Sequence, residues 1–183
     1  LRFDFSHNAA LSADDIADSI ERDLVEGWDG VRPGLIGEIG IGPSFTPAEE
    51  KVLRGAAKAQ GRTGVPLSVH LPGWQRYGHR VLDVVEEEGA DLRATVLSHM
   101  NPSHDDPGYQ RSLADRGAWI EYDMIGMELR YPGEGPSTSD EQHARAIAER
   151  VSDGYAAHRH PSTRVSTTRA FRTGGWDRSA THR

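Results

Sequence analysis

Three residues of metal-binding type occupy comparable places in three apolar runs: Glu38 within Gly34–Gly42 (GLIGEIGIG), His70 closing Val65–His70 (VPLSVH) and His99 closing Ala94–His99 (ATVLSH). An unpaired carboxylate in such a run would cost several kcal/mol, so Glu38 must be protonated, ion-paired or bound to a metal. Two imidazoles and a carboxylate make an ordinary zinc donor set. The plainer alternatives are histidines that serve as hydrogen-bonded loop residues, and a Glu38 paired with Arg80 or Arg93. With no cysteine in the chain, a metal would have to use His, Asp and Glu, which favours zinc, manganese or iron.

The elements that must carry these residues alternate. Leu35, Ile36, Ile39 and Ile41 read as a short strand buried on both faces. Ahead of it, Ser12 can cap a helix with Ile16, Ile20 and Leu24 on one face and Gly27 at its end. Thr46, Pro47 and Glu49 open a second helix through about Gln60, stopped by Gly61. Helices over Arg76–Glu88, Tyr109–Arg116 and Ser139–Val151 follow, interleaved with strands at Val65–His70, Ala94–His99 and Ala118–Met124. Phe3–Phe5 is the end of a strand at most. Strand starts near 35, 65, 94 and 118 are spaced like the units of a (β/α)8 barrel, about 31 residues each. A doubly wound sheet also fits the alternation, but polar residues at the C-terminal strand ends favour the barrel. Adjacent barrel strands would let Glu38, His70 and His99 converge.

Composition narrows the function classes. The 183 residues, 36% hydrophobic and 27% charged, suit one soluble domain or part of one. A net charge of -7 argues against nucleic acid as the partner. No apolar run approaches the roughly 20 residues of a membrane span, and the expected location is cytoplasmic. Gly37, Gly40 and Gly42 have the wrong spacing for a dinucleotide loop, so turn geometry and close strand packing account for them.

The motifs Gly37-Glu38-Ile39-Gly40, Leu67-Ser68-Val69-His70, Val96-Leu97-Ser98-His99 and Glu121-Tyr122-Asp123-Met124-Ile125-Gly126, in this order and spacing, resemble consecutive strands of the phosphotriesterase family of the amidohydrolase superfamily. The resemblance spans Ser12 to about Tyr155. It implies an α/β fold, a partial (β/α)8 barrel with about strands four to seven present, and a hydrolase with two zinc ions per intact site, other divalent metals being alternatives. Glu38 matches the position that bridges the two metals, a carboxylated lysine in many members, and His70 and His99 match ligands of the more exposed metal. Asp123, at the end of the seventh strand, is expected to orient a ligand or face substrate, or else to cap its own loop; Glu38 and Asp123 are thus the candidate catalytic residues. The implied substrate is a small-molecule ester, lactone or organophosphate attacked by metal-activated hydroxide, with a homodimer as the expected assembly if there is one. A truncated member that binds metal without catalysis, or a non-metal α/β binding domain, are the alternatives.

Departures from the pattern matter as much. The family's first-strand H-x-H is absent, as if the chain began near the third strand, and the eighth-strand aspartate is missing after Tyr155. His158-Arg159-His160 has the H-x-H spacing without an apolar strand before it. Residues 1–155 are read as the barrel part and 156–183 as an irregular basic tail, since the latter hold six Arg and one Asp, or +5, leaving -12 for the rest. That switch suggests an altered terminus or a natural tail for an acidic partner, and Thr173-Gly174-Gly175-Trp176 faintly resembles a family loop. His104, Asp105 and Asp106 are expected to be solvated loop residues, and Trp74 and Tyr77 to line a pocket or pack on a helix. Four strands cannot close a ring, so exposed edges should favour self-association.

Overall fold

The computed structural model describes residues 10–155 and 164–166; the expectations for Phe3–Phe5, His158–His160 and Thr173–Trp176 fall outside them. Helix α1 (Ala13–Glu26) begins at Ser12, whose hydroxyl accepts from the Asp15 amide while Asp15 reaches back, a reciprocal cap. Strand β1 (Ile36–Gly40) leads to α2 (Pro47–Thr63), opened by the same device at Thr46 and Glu49. Then come β2 (Leu67–His70), α3 (Gly78–Glu87), β3 (Thr95–Ser98), α4 (Pro107–Asp115) and β4 (Trp119–Glu121). A two-stranded hairpin, β5 (Arg130–Tyr131) with β6 (Gly135–Pro136), precedes α5 (Asp140–Ser152), and β7 (Arg164–Ser166) ends the described chain. No helix among the described residues is long and apolar enough to cross a membrane.

The strands β1, β2, β3, β4 and β7 lie in that order in one sheet, each pair parallel. Register decides the faces, because paired residues of a parallel sheet share a face and neighbours along a strand alternate. Leu67, Val69, Leu97 and Ile120 align on one face with Ile36 and Ile39, all buried in the core with Leu53, Val81, Leu82 and Leu113 from the helices. Ser68, His70, Ser98 and Glu121 fall on the opposite face. There the Ser68 and Ser98 hydroxyls are 3.1 Å apart and Ser98 donates to Glu121 at 2.7 Å.

Several expectations change. β1 is not buried on both faces: Ile36 and Ile39 are buried while Gly37, Glu38 and Gly40 are exposed, because a bulge turns Gly37 and Glu38 away from the buried face and, among the described residues, β1 pairs with β2 alone. Trp28, Val31 and Leu35, which lead into it, are exposed too. Gly61 does not end α2. A Cβ there would sit 3.1 Å from the Gly89 carbonyl oxygen, so its smallness admits a neighbouring loop, and the helix runs on to a left-handed Gly64 at φ 70°. The Gly/Pro-rich loop after β4 contains the β5–β6 hairpin. Of the stretch read as an irregular tail, Arg164–Ser166 pairs with β4; the rest of that reading lies outside the described residues.

Gly55 marks the contact of α1 with α2. A Cβ there would lie 2.6 Å from Ile16 Cγ2 and 2.9 Å from the Ala13 carbonyl oxygen. Alanine within a helix gains about 0.5–1 kcal/mol over glycine, whereas overpacking costs about 1–3 kcal/mol. Gly55→Ala is therefore expected to lower the denaturant midpoint, and an unchanged or raised midpoint would contradict this packing.

Candidate metal centre

Glu38 reaches the polar face through a one-residue bulge. Ile36 pairs with Leu67 and Ile39 with Val69, so Gly37 and Glu38 together oppose Ser68. A bulge of this kind re-aims a side chain. Gly37 adopts φ 134°, and a Cβ on it would stand 2.5 Å from the Ser68 carbonyl oxygen. Only glycine permits so close an approach. Glu38 thereby shares its face with His70, which ends β2.

His99 needs a second device. It follows Ser98 and by simple alternation would point to the helices, but its φ of 59° turns the chain at that residue. A non-glycine residue holds such a conformation only where its surroundings enforce it. Asp123 does so: Oδ1 accepts the His99 backbone N–H at 3.1 Å, and Oδ2 lies 2.8 Å from His99 Nδ1, at ion-pair distance though outside straight hydrogen-bond alignment. Asp123 is itself fixed by the fully buried Asn101, whose Oδ1 accepts from the amides of Asp123 at 3.1 Å and Met124 at 3.2 Å. The loop that carries Asn101 is tied down in turn by Gln110, which donates to the Met100 carbonyl and Ser103 hydroxyl and accepts from Tyr122.

The result is a cluster in which one ligand atom from each of Glu38, His70 and His99 lies within 4.8 Å of the others. His70 Nδ1 is 3.3 Å from Glu38 Oε2, His99 Nε2 is 3.3 Å from Glu38 Oε1, and the two nitrogens are 2.8 Å apart. Donors on one tetrahedral cation, at about 2.1 Å from it, stand about 3.4 Å apart. Both contacts to Glu38, one on each carboxylate oxygen, lie near that figure, whereas the two nitrogens stand closer, at hydrogen-bond distance. The donor chemistry and the carboxylate behind His99 Nδ1 also fit a cation.

Electrostatics follow from the same contacts. Burial alone would push the His99 imidazolium down, but Asp123 and Glu38 outweigh it and hold His99 up at about 10. His70 and then His99 hold the Glu38 carboxyl well below the usual carboxylate range. The arginine alternatives for Glu38 do not occur, since Arg80 pairs with Glu50 at 2.7 Å and Arg93 with Asp91 at 3.1 Å.

Beside the cluster opens a pocket of about 270 Å³. Trp74 lines it, whereas Tyr77 packs on Phe45 with ring centroids 5.6 Å apart and donates to the Pro43 carbonyl. His104 sits against Thr138 and the Asn101 carbonyl, Asp105 pairs with Arg76, and Asp106 caps α4. Sequence reasoning missed Asn101, the Ser68–Ser98–Glu121 chain and the hairpin residues Tyr131 and Glu134. Glu121, which opens its motif, and the Asn two residues after His99 were the available signals.

The sequence model of the phosphotriesterase family matches residues 2–181. N-acetyltaurine hydrolase of Tetraodon nigroviridis is 36% identical over 150 residues, 79% of this chain and 43% of that protein. The Homo sapiens protein of the same name is 31% identical over 154 residues, 81% of this chain and 44% of the relative. Among solved structures, a resiniferatoxin-binding protein from Rhodobacter sphaeroides matches with TM-score 0.78 and 62% identity over 81% of this chain and 42% of its own. The phosphotriesterase homology protein from Escherichia coli, complexed with phosphate in its active site, matches with TM-score 0.70 and 27% identity over 81% and 49%. The chain thus spans less than half the length of each relative. Its parallel sheet and helices are part of a (β/α)8 barrel.

Because His99 is raised in the folded chain, its contribution to stability is complete below the unfolded value of 6.5 and is lost as pH rises through about 10. In chelator-treated protein, NMR is expected to show the His99 ring still protonated at pH 8, and Asp123→Asn should lower its midpoint. Titration of His99 between pH 6 and 7 would show that the carboxylates do not engage it.

Proposed function

The chain belongs to the phosphotriesterase family, and on that premise we propose that it is a zinc-dependent hydrolase acting on a carboxyl ester, lactone or phosphotriester. The observation that most supports this reading is the convergence of Glu38, His70 and His99 within 4.8 Å. Those residues would hold the cation, Glu38 through its carboxylate and His70 and His99 through one ring nitrogen each. When bound, such cations polarise a carbonyl or phosphoryl oxygen and bring a water's pKa toward neutrality.

The chain's own residues account for the rest. His70 and His99 must be neutral to donate, so the proton that Asp123 and Glu38 keep on His99 is released as the cation enters. Both Asp123 oxygens face His99, which makes Asp123 a positioning residue that fixes the ring and leaves little capacity to carry a proton from water. The apolar pocket walls limit water around the bond to be cleaved. Relatives named for N-acetyltaurine hydrolysis keep an amide among the candidate bonds.

Metal analysis of the purified chain tests the proposal: about two equivalents fit an intact hydrolase site, one or fewer a chain that binds metal without turnover, and none a structural cluster. His70→Ala should lower metal content and ester hydrolysis together, and unchanged values would reject the reading. Asp123→Asn is expected to weaken metal affinity by roughly 10–100-fold and, because it removes the carboxylate that raises His99, to lower the melting temperature at neutral pH as well.

A further inference from the structure

Beside the metal-binding residues a polar chain crosses three strands. Ser98 Oγ donates to Glu121 Oε2 at 2.7 Å, and the Ser68 and Ser98 hydroxyls lie 3.1 Å apart. A serine hydroxyl carries one proton, and a carboxylate only accepts. With its proton given to Glu121, Ser98 can only accept from Ser68, so the chain runs in one direction, from β2 through β3 to β4. Both serines are buried, where a hydroxyl without a partner is costly, and each rotamer is thereby held by its neighbour.

Register sets this chain against all three donors. Ser98 is paired with His70 across β2 and β3 and immediately precedes His99. Ser68 stands two residues before His70, on the same face and about 7 Å nearer the start of the strand. Gly37, the residue before Glu38, rests on Ser68: a Cβ there would lie 2.5 Å from the Ser68 carbonyl oxygen and 3.2 Å from Ser68 Cβ. Glu38, His70 and His99 thus each adjoin a serine of the chain or the glycine packed on one. β1 needs such support, because among the described residues it pairs with β2 alone and its register shifts between Ile36 and Ile39.

We infer that Ser68, Ser98 and Glu121 are positioning residues that hold the bulge of β1, and with it Glu38, at ligand distance from His70 and His99, a role that rests on the metal reading of those three residues. Asp123 and Asn101 fix His99 from the loops; the serine chain fixes Glu38 from the strands. What Glu121 supplies is an acceptor at a set place on β4. Glutamine offers a carbonyl oxygen in that place and leucine of similar size offers none, so the hydrogen bond can be separated from the bulk of the side chain.

Amide hydrogen exchange of the metal-free full chain, read by NMR, and zinc affinity measured by competition with a chelator test this role. The informative amides are Ile36 and Ile41, which flank the bulge and donate to the Pro66 and His70 carbonyls at 2.8 and 3.0 Å. Ser98→Ala should speed their exchange by about tenfold or more with α2 and α3 amides unchanged, and weaken zinc binding by roughly 10–100-fold. Glu121→Leu should do the same, whereas Glu121→Gln should keep both close to the unsubstituted chain. Exchange at Ile36 and Ile41 unmoved by Ser98→Ala, a rise spread evenly over the helices, an unchanged zinc affinity, or Glu121→Gln behaving as Glu121→Leu overturns the inference. Exchange is read without metal, so a chain that takes up no zinc would reject the metal reading while Ile36 and Ile41 still decide whether the serine chain holds the bulge.

Discussion

The approach of Gly37 to the Ser68 carbonyl is the contact on which the site depends. Because β1 carries one more residue than β2 between their paired isoleucine and aliphatic positions, the extra residue must be accommodated without spoiling the buried face. The bulge solves both problems at once: Ile36 and Ile39 stay in the core, and Glu38 turns to the face of His70. A side chain at Gly37 would push the strands apart, and a slip of register by one residue would send Glu38 toward the helices. The position of the carboxylate is therefore an outcome of backbone packing, with the side chain's own preferences secondary.

His99 shows the complementary strategy, in which polar contacts enforce a backbone that packing alone would not. Its left-handed φ is held by Asp123 from one side and by the cluster from the other. Asp123 is held by Asn101, and the Asn101 loop by Gln110 and Tyr122. Asn101, Gln110 and Tyr122 are buried, where hydrogen bonds are strong and an orphaned group is costly, while His99 and Asp123 are half-buried. Two carboxylates raise His99 against the opposing effect of burial.

Much of this was legible in the residues, and the illegible parts share a cause. The parallel α/β alternation, the helix starts at Ser12, Thr46 and Ser139, and the grouping of Glu38 with His70 and His99 follow from local periodicity, capping residues and strand-end positions. Burial of β1 was overestimated because an apolar run says how many faces a strand can bury but not whether a neighbour is present on each side. The end of α2 was misplaced because Gly61 looks like a stop and in fact makes room for Gly89. The β5–β6 hairpin escaped notice because two-residue strands in a Gly/Pro-rich loop leave no periodicity to read. Asn101, the Asp123 contacts and the serine network depend on partners 22 to 30 residues away in sequence, beyond any local pattern.

These two kinds of structure divide the labour of the molecule. Glu38 sits in the bulge between the paired Ile36 and Ile39, and His70 and the Ser98 that precedes His99 are themselves paired across strands, so moving any of them means moving the sheet. Trp74, Tyr131 and Glu134 are placed by one indole hydrogen bond, one ring contact and a glycine that lets the hairpin approach. Changes in the hairpin can thus alter the charge and shape of the pocket wall while the cluster keeps its spacing. A fold that holds Glu38 and His70 on strands and its pocket wall on loops can vary that wall without rebuilding the cluster.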